Sequence, residues 1–273
     1  MKVIISHDVD HLFREDHYRD LFFLKNDVRT LLKLLTRNCT ARECWLRIIS
    51  PFKKKQNNIA ELAEFDMKHG INSTFFFGMS NGLGMSYDCE KVAPYVKKLY
   101  SWGFDVGVHG IAFNDIKLMK NEKNKFMAIN GRSPIGIRMH YVRFDDSTFK
   151  ALSNLGYTYD STEFDKNSGY LIKSPYKVNN MWEFPLTIME GYLNEKPLTE
   201  NLEHMKKRTL EIIKLAKDKN VNYITILFHD YMFTNMYSCY KSWYEWLIDY
   251  LCKNDFDIIS FTDAIGELND ERE

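Results

Sequence analysis

The chain has 273 residues, 45% of them hydrophobic, with 37 basic and 37 acidic side chains. That length can bury a full core, and one domain over 1–273 is expected; the balanced charge argues against a nonspecific nucleic-acid binder, which needs a basic excess or a basic face. The five cysteines (Cys39, Cys44, Cys89, Cys239, Cys252) are odd in number, widely spaced and without a C-x-x-C pair. They give neither a disulfide framework nor a zinc knuckle, and a reducing compartment fits them. Met1-Lys2 leads directly into a short strand, without the apolar stretch and cleavage site of a signal peptide, and no segment reaches the length of a membrane-spanning helix. A soluble, cytoplasmic protein is expected, with the 15% of aromatic residues pointing to a ring-rich pocket or surface.

Val3-Ile4-Ile5 opens a strand over 3–6 that runs into Ser6-His7-Asp8-Val9-Asp10-His11. Residues two apart in an extended chain point the same way, so Asp8 and Asp10 reach one shared centre where the strand stops. One carboxylate can hold a metal while the other takes a proton. His7 alternates away from them and is expected to face the barrel wall; His11 is left open as an auxiliary ligand.

Residues 12–58 are too long for a connection, and their leucine-rich helical pattern predicts an inserted helical subdomain. Within it Lys25, Arg29, Lys33, Arg37, Arg42, Arg47, Lys53, Lys54 and Lys55 outnumber Asp27 and Glu43. A basic amphipathic helix can make peripheral contact with an anionic membrane, but a solvated helix face packed over the barrel is the preferred reading.

From there short apolar runs alternate with helical periodicity. A helix over 59–68 and a strand over 73–77 are followed by a helix over 88–102 and a strand over 104–108. Next come a helix over 115–129, a strand over 136–139, a helix over 147–155 and a strand over 157–159. The Asn-, Tyr- and Pro-rich stretch 161–198 predicts an irregular hairpin near the site. A helix over 199–219, a strand over 223–228, a helix over 243–252 and a strand over 257–260 complete the order. Asp88 reads as an N-cap, and Gly70, Gly103 and Gly156 as C-terminal stops. This alternation predicts an α/β fold with a mainly parallel sheet, open or closed into a barrel.

Ionisable residues gather where these strands end: Asp8 and Asp10, then His109, then Arg138 and His140, then Asp160, then His229. In parallel α/β architectures those ends share one face, and ligands bind there. His17, His69 and His204 lie in helical or polar stretches and are given ordinary surface or hydrogen-bonding roles.

Asp8-Val9-Asp10, Gly107-Val108-His109-Gly110, Arg138-Met139-His140-Tyr141, Tyr159-Asp160-Ser161-Thr162 and Leu227-Phe228-His229-Asp230 resemble, in order, the motifs of the polysaccharide deacetylases, the NodB-homology group or carbohydrate esterase family four. The resemblance extends from residue 3 to about residue 262. It implies a distorted (β/α) barrel of about seven strands and metal-dependent removal of an N-acetyl group from an amino sugar. It also implies that Asp8 is the general base, Asp10 the metal-binding carboxylate and His109 the first metal histidine. Members place a second histidine four residues later, where this chain has Phe113. His140 is expected to replace it, because Arg138 and His140 share a face at the end of their strand. His11 and Asn114 are the fallbacks, and loss of the metal is the remaining alternative.

A zinc-like divalent ion with three protein ligands keeps a position open for water, lowers the pKa of that water and polarises an amide carbonyl. Asp8, held by Arg138, would take the proton, and His229 would protonate the departing amine, its pKa raised by Asp160 or Asp230. Tyr141, Trp182 and Tyr231, with Phe184 and Leu186, are the expected substrate wall. Trp182, Phe184 and Leu186 equally alternate as a half-buried strand does, with Glu183 then facing solvent or the opposite wall. The expected substrate is an N-acetylated sugar or glycan, nucleotide- or lipid-linked, in surface polysaccharide synthesis. The rival readings are a metal-dependent amidase or deformylase on a small molecule, and a catalytically silent carbohydrate-binding protein.

Overall fold

Each of the seven apolar runs becomes a strand, and the irregular stretch adds three more. A computed structural model describes residues 1–18, 21–132, 135–194 and 199–270; the expected insertion over 12–58 and the stretch 161–198 each include positions outside these. In chain order the elements are β1 (Lys2–Val9), α1 (Phe22–Leu35), α2 (Ala41–Ile48), α3 (Ile59–Lys68), β2 (Thr74–Gly78), α4 (Ala93–Ser101), β3 (Asp105–Gly110), α5 (Ile116–Asn130), β4 (Gly136–Met139) and α6 (Thr148–Asn154). They continue with β5 (Tyr159–Asp160), β6 (Tyr176–Val178), β7 (Met181–Glu183), β8 (Leu186–Met189), α7 (Leu202–Asp218), β9 (Tyr223–Leu227), α8 (Ser238–Lys253), β10 (Asp257–Ile258) and α9 (Phe261–Asp270). Asp88 caps as expected, its carboxylate accepting from Glu90 N, and Gly70, Gly103 and Gly156 all take left-handed φ.

Among the described residues the sheet has ten strands rather than about seven, ordered β6-β7-β5-β4-β3-β2-β1-β9-β8, with β10 beside the start of β1. Among its strands β6 alone runs antiparallel, in a hairpin with β7. The flanks β7 and β8 are joined through Phe184 and Pro185 alone, so the sheet must curl until its two sides meet. No β7–β8 pairing closes it among the described residues. Pro185 lies at that seam and has no N–H to donate to a ladder. The result is a curled, open half-barrel.

Strand alternation sorts side chains onto two faces. Ile4, Phe76, Tyr159, Trp182, Phe184 and Tyr223 pack with Phe261 of α9 in one cluster, which fills the inside of the curl. Val3, Ile5, Phe75, Phe77, Val106, Val108, Ile137, Ile224 and Ile226 pack in the larger cluster beneath the helices. Burial on both faces is why these strands read as continuous apolar runs. The inner parity of β1 is that of Ile4, so Ser6, Asp8 and Asp10 point inward and His7 outward.

His7 is fixed among the helices as the alternation predicts. Its Nδ1 lies 2.9 Å from Phe228 O and its Nε2 2.9 Å from Asp66 Oδ2. Asp66 also accepts from Ser73 Oγ (2.6 Å) and Tyr244 Oη (2.7 Å), so one buried carboxylate of α3 ties β1, the approach to β2, and α8 together. Asp66→Ala strands three buried partners and is expected to cost about 3–5 kcal/mol in urea unfolding, the range for breaking a buried charged network.

The insertion is helical as expected, and α2 packs onto the barrel. Buried Arg47 donates from Nη2 to both oxygens of Glu200 (3.1 Å each) and from Nε to Met236 O (2.7 Å). Glu43 accepts from Thr40 N, completing a capping box, and from Ser238 Oγ (2.5 Å).

Candidate metal centre

Three side chains from the ends of β1, β3 and β4 converge, with β2 lying between the first two. Asp10 Oδ1 lies 3.4 Å from His109 Nε2 and 3.4 Å from His140 Nδ1, and those two nitrogens are 3.0 Å apart. His109 is buried on the inner face of β3, and His140 immediately follows β4. His140 precedes two non-glycine residues in left-handed conformation, Tyr141 (φ 57°) and Val142 (φ 43°). Such a conformation costs about 1–3 kcal/mol per residue and persists where the surroundings enforce it. Here buried Val142 packs with Phe164, Leu186, Met189 and Leu227.

The far nitrogen of each ring fixes the tautomer. His109 Nδ1 lies 3.1 Å from Arg138 O, and His140 Nε2 lies 3.2 Å from Leu83 O. A carbonyl can only accept, so each far nitrogen carries a proton, and in the neutral ring each inward nitrogen presents a lone pair. Two lone pairs and a carboxylate oxygen then face one another; Asp10 Oδ1 is buried with no hydrogen-bond partner. With both rings neutral, that arrangement is repulsive until a cation fills it. Three donors bound at about 2.0–2.1 Å in tetrahedral geometry stand about 3.3–3.4 Å apart, close to the separations found. The residues fit a zinc-like ion, and His140 stands in the group with Asp10 and His109. Neither fallback joins the group: His11 Nδ1 lies 3.0 Å from His17 Nε2, and Asn114 is exposed. Phe113, where the second histidine was looked for, lies under the Arg143 guanidinium.

Asp8 stands beside this trio without belonging to it. Its Oδ2 lies 3.7 Å from His109 Nε2, and its Oδ1 accepts from Arg138 Nη1 at 3.1 Å. Arg138, wholly buried, also donates from Nε to Ser161 O (2.8 Å) and from Nη2 to Ser161 Oγ (2.9 Å). Its guanidinium lies 4.7 Å from the Phe76 ring centre. Gly107 makes room for that ring: a Cβ there would come within 2.7 Å of Phe76 and 2.8 Å of Gly136 O.

His229 follows β9, with Nε2 3.7 Å from Asp10 Oδ2. Its Nδ1–H donates to Glu190 Oε1 at 2.5 Å. Burial alone would push the imidazole down, but the Glu190 carboxylate outweighs it and lifts the pKa from 6.5 to about 10, with smaller help from Asp10 and Asp8. Glu190 was not anticipated; it follows the four-residue β8, inside the stretch read as irregular. Asp160 and Asp230, the partners expected for His229, are engaged elsewhere. Asp160 is the register partner of Glu183, accepts from Thr162 Oγ1 (2.5 Å), and is pushed up by burial to about 6. Glu183, expected at the surface or the opposite wall, is wholly buried, and burial beside Asp160 raises its carboxyl further. Asp230 accepts from Asn58 N (2.9 Å), and burial pushes it up to about 8.

The trio opens into a cavity of about 810 Å³, lined by Asp8, Asp10, His140 and His229 and by Tyr141, Tyr231, Leu83 and Tyr192. Lys25 and Arg29 of α1 and Lys166 line the same cavity. Tyr141 and Tyr231 therefore stand where a substrate wall was expected. Trp182 does not: it is buried in the inner cluster, donating from Nε1 to Asn269 Oδ1.

No protein-family model and no curated protein matches the chain by sequence. Solved structures do match by shape. A Mycobacterium smegmatis protein provisionally named a polysaccharide deacetylase superposes with a TM-score of 0.65 at 14% identity, over 99% of this chain and 91% of that one. A CE4-family pseudoenzyme from Bacillus anthracis gives 0.52 at 10% identity, over 97% and 65%. The Xyl-CE4 domain of a xylanase from the hindgut metagenome of Trinervitermes trinervoides gives 0.50 at 9%, over 98% and 91%. The chain thus has the fold of the polysaccharide deacetylases.

Proposed function

We propose that this chain is a metal-dependent hydrolase that removes the N-acetyl group from an amino sugar, with zinc as the ion. The observation that carries the reading is the trio Asp10, His109 and His140, with Asp8 against one side and His229 against the other. When bound, the ion would ease deprotonation of a water and polarise an acyl carbonyl. Asp8, its other oxygen held by Arg138, is placed to take the water's proton as the water oxygen attacks the carbonyl carbon. His229, kept charged by Glu190, is placed to give a proton to the nitrogen as the C–N bond breaks, releasing acetate and a free amine. The cavity lies within the size range of small-molecule sites, so it suits one or two sugar units better than a long polymer. Tyr141 and Tyr231 offer rings for a sugar face.

The fold also hosts a pseudoenzyme in Bacillus anthracis, which keeps the silent reading in view. Against it stands a full set of base, orienting arginine, acid and its carboxylate partner around one intact trio. The test is zinc content by mass spectrometry alongside acetate release from N-acetylglucosamine oligosaccharides. Wild type is expected to bind one equivalent and to release acetate. His140→Ala should lose at least about tenfold in zinc affinity and most activity, whereas Phe113→Ala should keep its zinc. A wild-type protein that binds no divalent metal would hand the assignment to the silent reading.

A further inference from the structure

The outward face of α1 is aliphatic where a surface helix is ordinarily polar. Leu24, Val28, Leu31, Leu32 and Leu35 recur at spacings of three, four and seven, which places them on one face; with Leu21 at the N-cap they are 46–80% exposed. Elsewhere in the insertion Phe52 and Trp45 are exposed too, at 81% and 63%. Scattered exposed leucines need no explanation, but five aliphatic residues on one helix face, with Leu21 just before its first turn, form a continuous apolar surface, and such surfaces mark interaction sites.

The charge beside this face has one sign. Residues 21–58 contain nine Lys and Arg against Asp27 and Glu43. Lys33 and Arg47 pair with Glu200 and Lys55 with Glu61, while Lys25, Arg29, Arg37, Arg42, Lys53 and Lys54 are exposed. Lys25 and Arg29 lie along one edge of the aliphatic face and also line the metal cavity, as do exposed Leu83 and Tyr141. An aliphatic face edged by cations is complementary to a bilayer with anionic headgroups. It is poorly suited to a second copy of itself, because two-fold pairing through this face would bring two basic insertions together.

We propose that α1 docks the protein on an anionic phospholipid bilayer, with its aliphatic face in the interface and the mouth of the metal cavity opening beside it onto the headgroup layer. The proposal uses the functional reading only for the identity of that cavity. The plainer expectation, a helix face packed over the barrel, describes α2 and the inner side of α1; the outer side of α1 is a different surface.

The test is co-sedimentation with vesicles of phosphatidylcholine alone and with roughly 30% phosphatidylglycerol, for wild type and for Leu24→Gln/Val28→Gln/Leu31→Gln. Wild type is expected to bind the anionic vesicles, more weakly as salt rises, and the triple variant to lose at least about tenfold in partitioning while keeping its zinc. Should the triple variant fail to fold, Leu35→Gln, at the exposed end of the helix, is expected to weaken binding in the same direction. Wild type that stays in solution with both vesicles, or variants that bind as wild type does, would overturn the proposal. So would a wild-type dimer that the triple variant converts to a monomer without any vesicle binding. Zinc uptake is read in the same samples: its absence in wild type counts against the hydrolase alone, and failed sedimentation with zinc in place counts against the docking alone.

Discussion

Asn in place of Asp8 is expected to leave zinc bound and to cut acetate release by about a hundredfold to ten-thousandfold, the range for loss of a positioned general base. The substitution keeps shape and keeps an oxygen for Arg138 Nη1, which now sits 3.1 Å from Asp8 Oδ1. It removes a proton acceptor that faces the trio without belonging to it, since Asp8 Oδ2 lies 3.7 Å from His109 Nε2. Zinc content and kcat/KM together decide the role. If zinc falls with activity, Asp8 is a ligand; if both survive, the base lies elsewhere. Arg138→Lys should lose rate by the same route, because an ammonium cannot span Asp8, Ser161 O and Ser161 Oγ as the planar fork does.

What the sequence made legible follows from parity and from strand length. In β1 the alternation placed Asp8 and Asp10 together and His7 apart, and the fold keeps that division. His109, Arg138, His140 and His229 were found because each ends a strand long enough to read as an apolar run. Asp160 shows the limit of that rule. Tyr159 packs inside the curl, so alternation sends Asp160 to the other face, where Glu183 of β7 meets it. Position at a strand end was read, but parity was not. Trp182 failed for a related reason, because alternation is the same for a buried inner strand and for a cavity wall, and packing against α9 decided it. Glu190 was out of reach: β7 and β8 have three and four residues and flank Pro185, too short to show a period. Their place is set by pairing with β5 and β9, which is tertiary information. The aliphatic face of α1 was visible as a leucine-rich pattern, but periodicity does not say which way a stripe faces.

Glu190→Gln tests the part of the site that the sequence did not offer. Glutamine keeps an acceptor for His229 Nδ1–H but removes the charge, and Glu190 is outside the trio, so zinc should stay. The sign follows from linkage. With Glu190 present the imidazolium persists up to about pH 10; without that carboxylate, burial is opposed by the smaller contributions of Asp10 and Asp8, and the pKa falls. A metal ion on Asp10 would cancel that residue's contribution and leave the one from Glu190 in place. The alkaline limb of kcat should therefore move to lower pH in the variant. At pH 8 the ring is charged in wild type and less so in the variant, and the loss of general-acid catalysis should approach a hundredfold or more; at pH 6 the loss should be smaller. An equal loss at both pH values would mean that Glu190 orients His229 without setting its charge, and no loss at either would remove His229 from the role of acid.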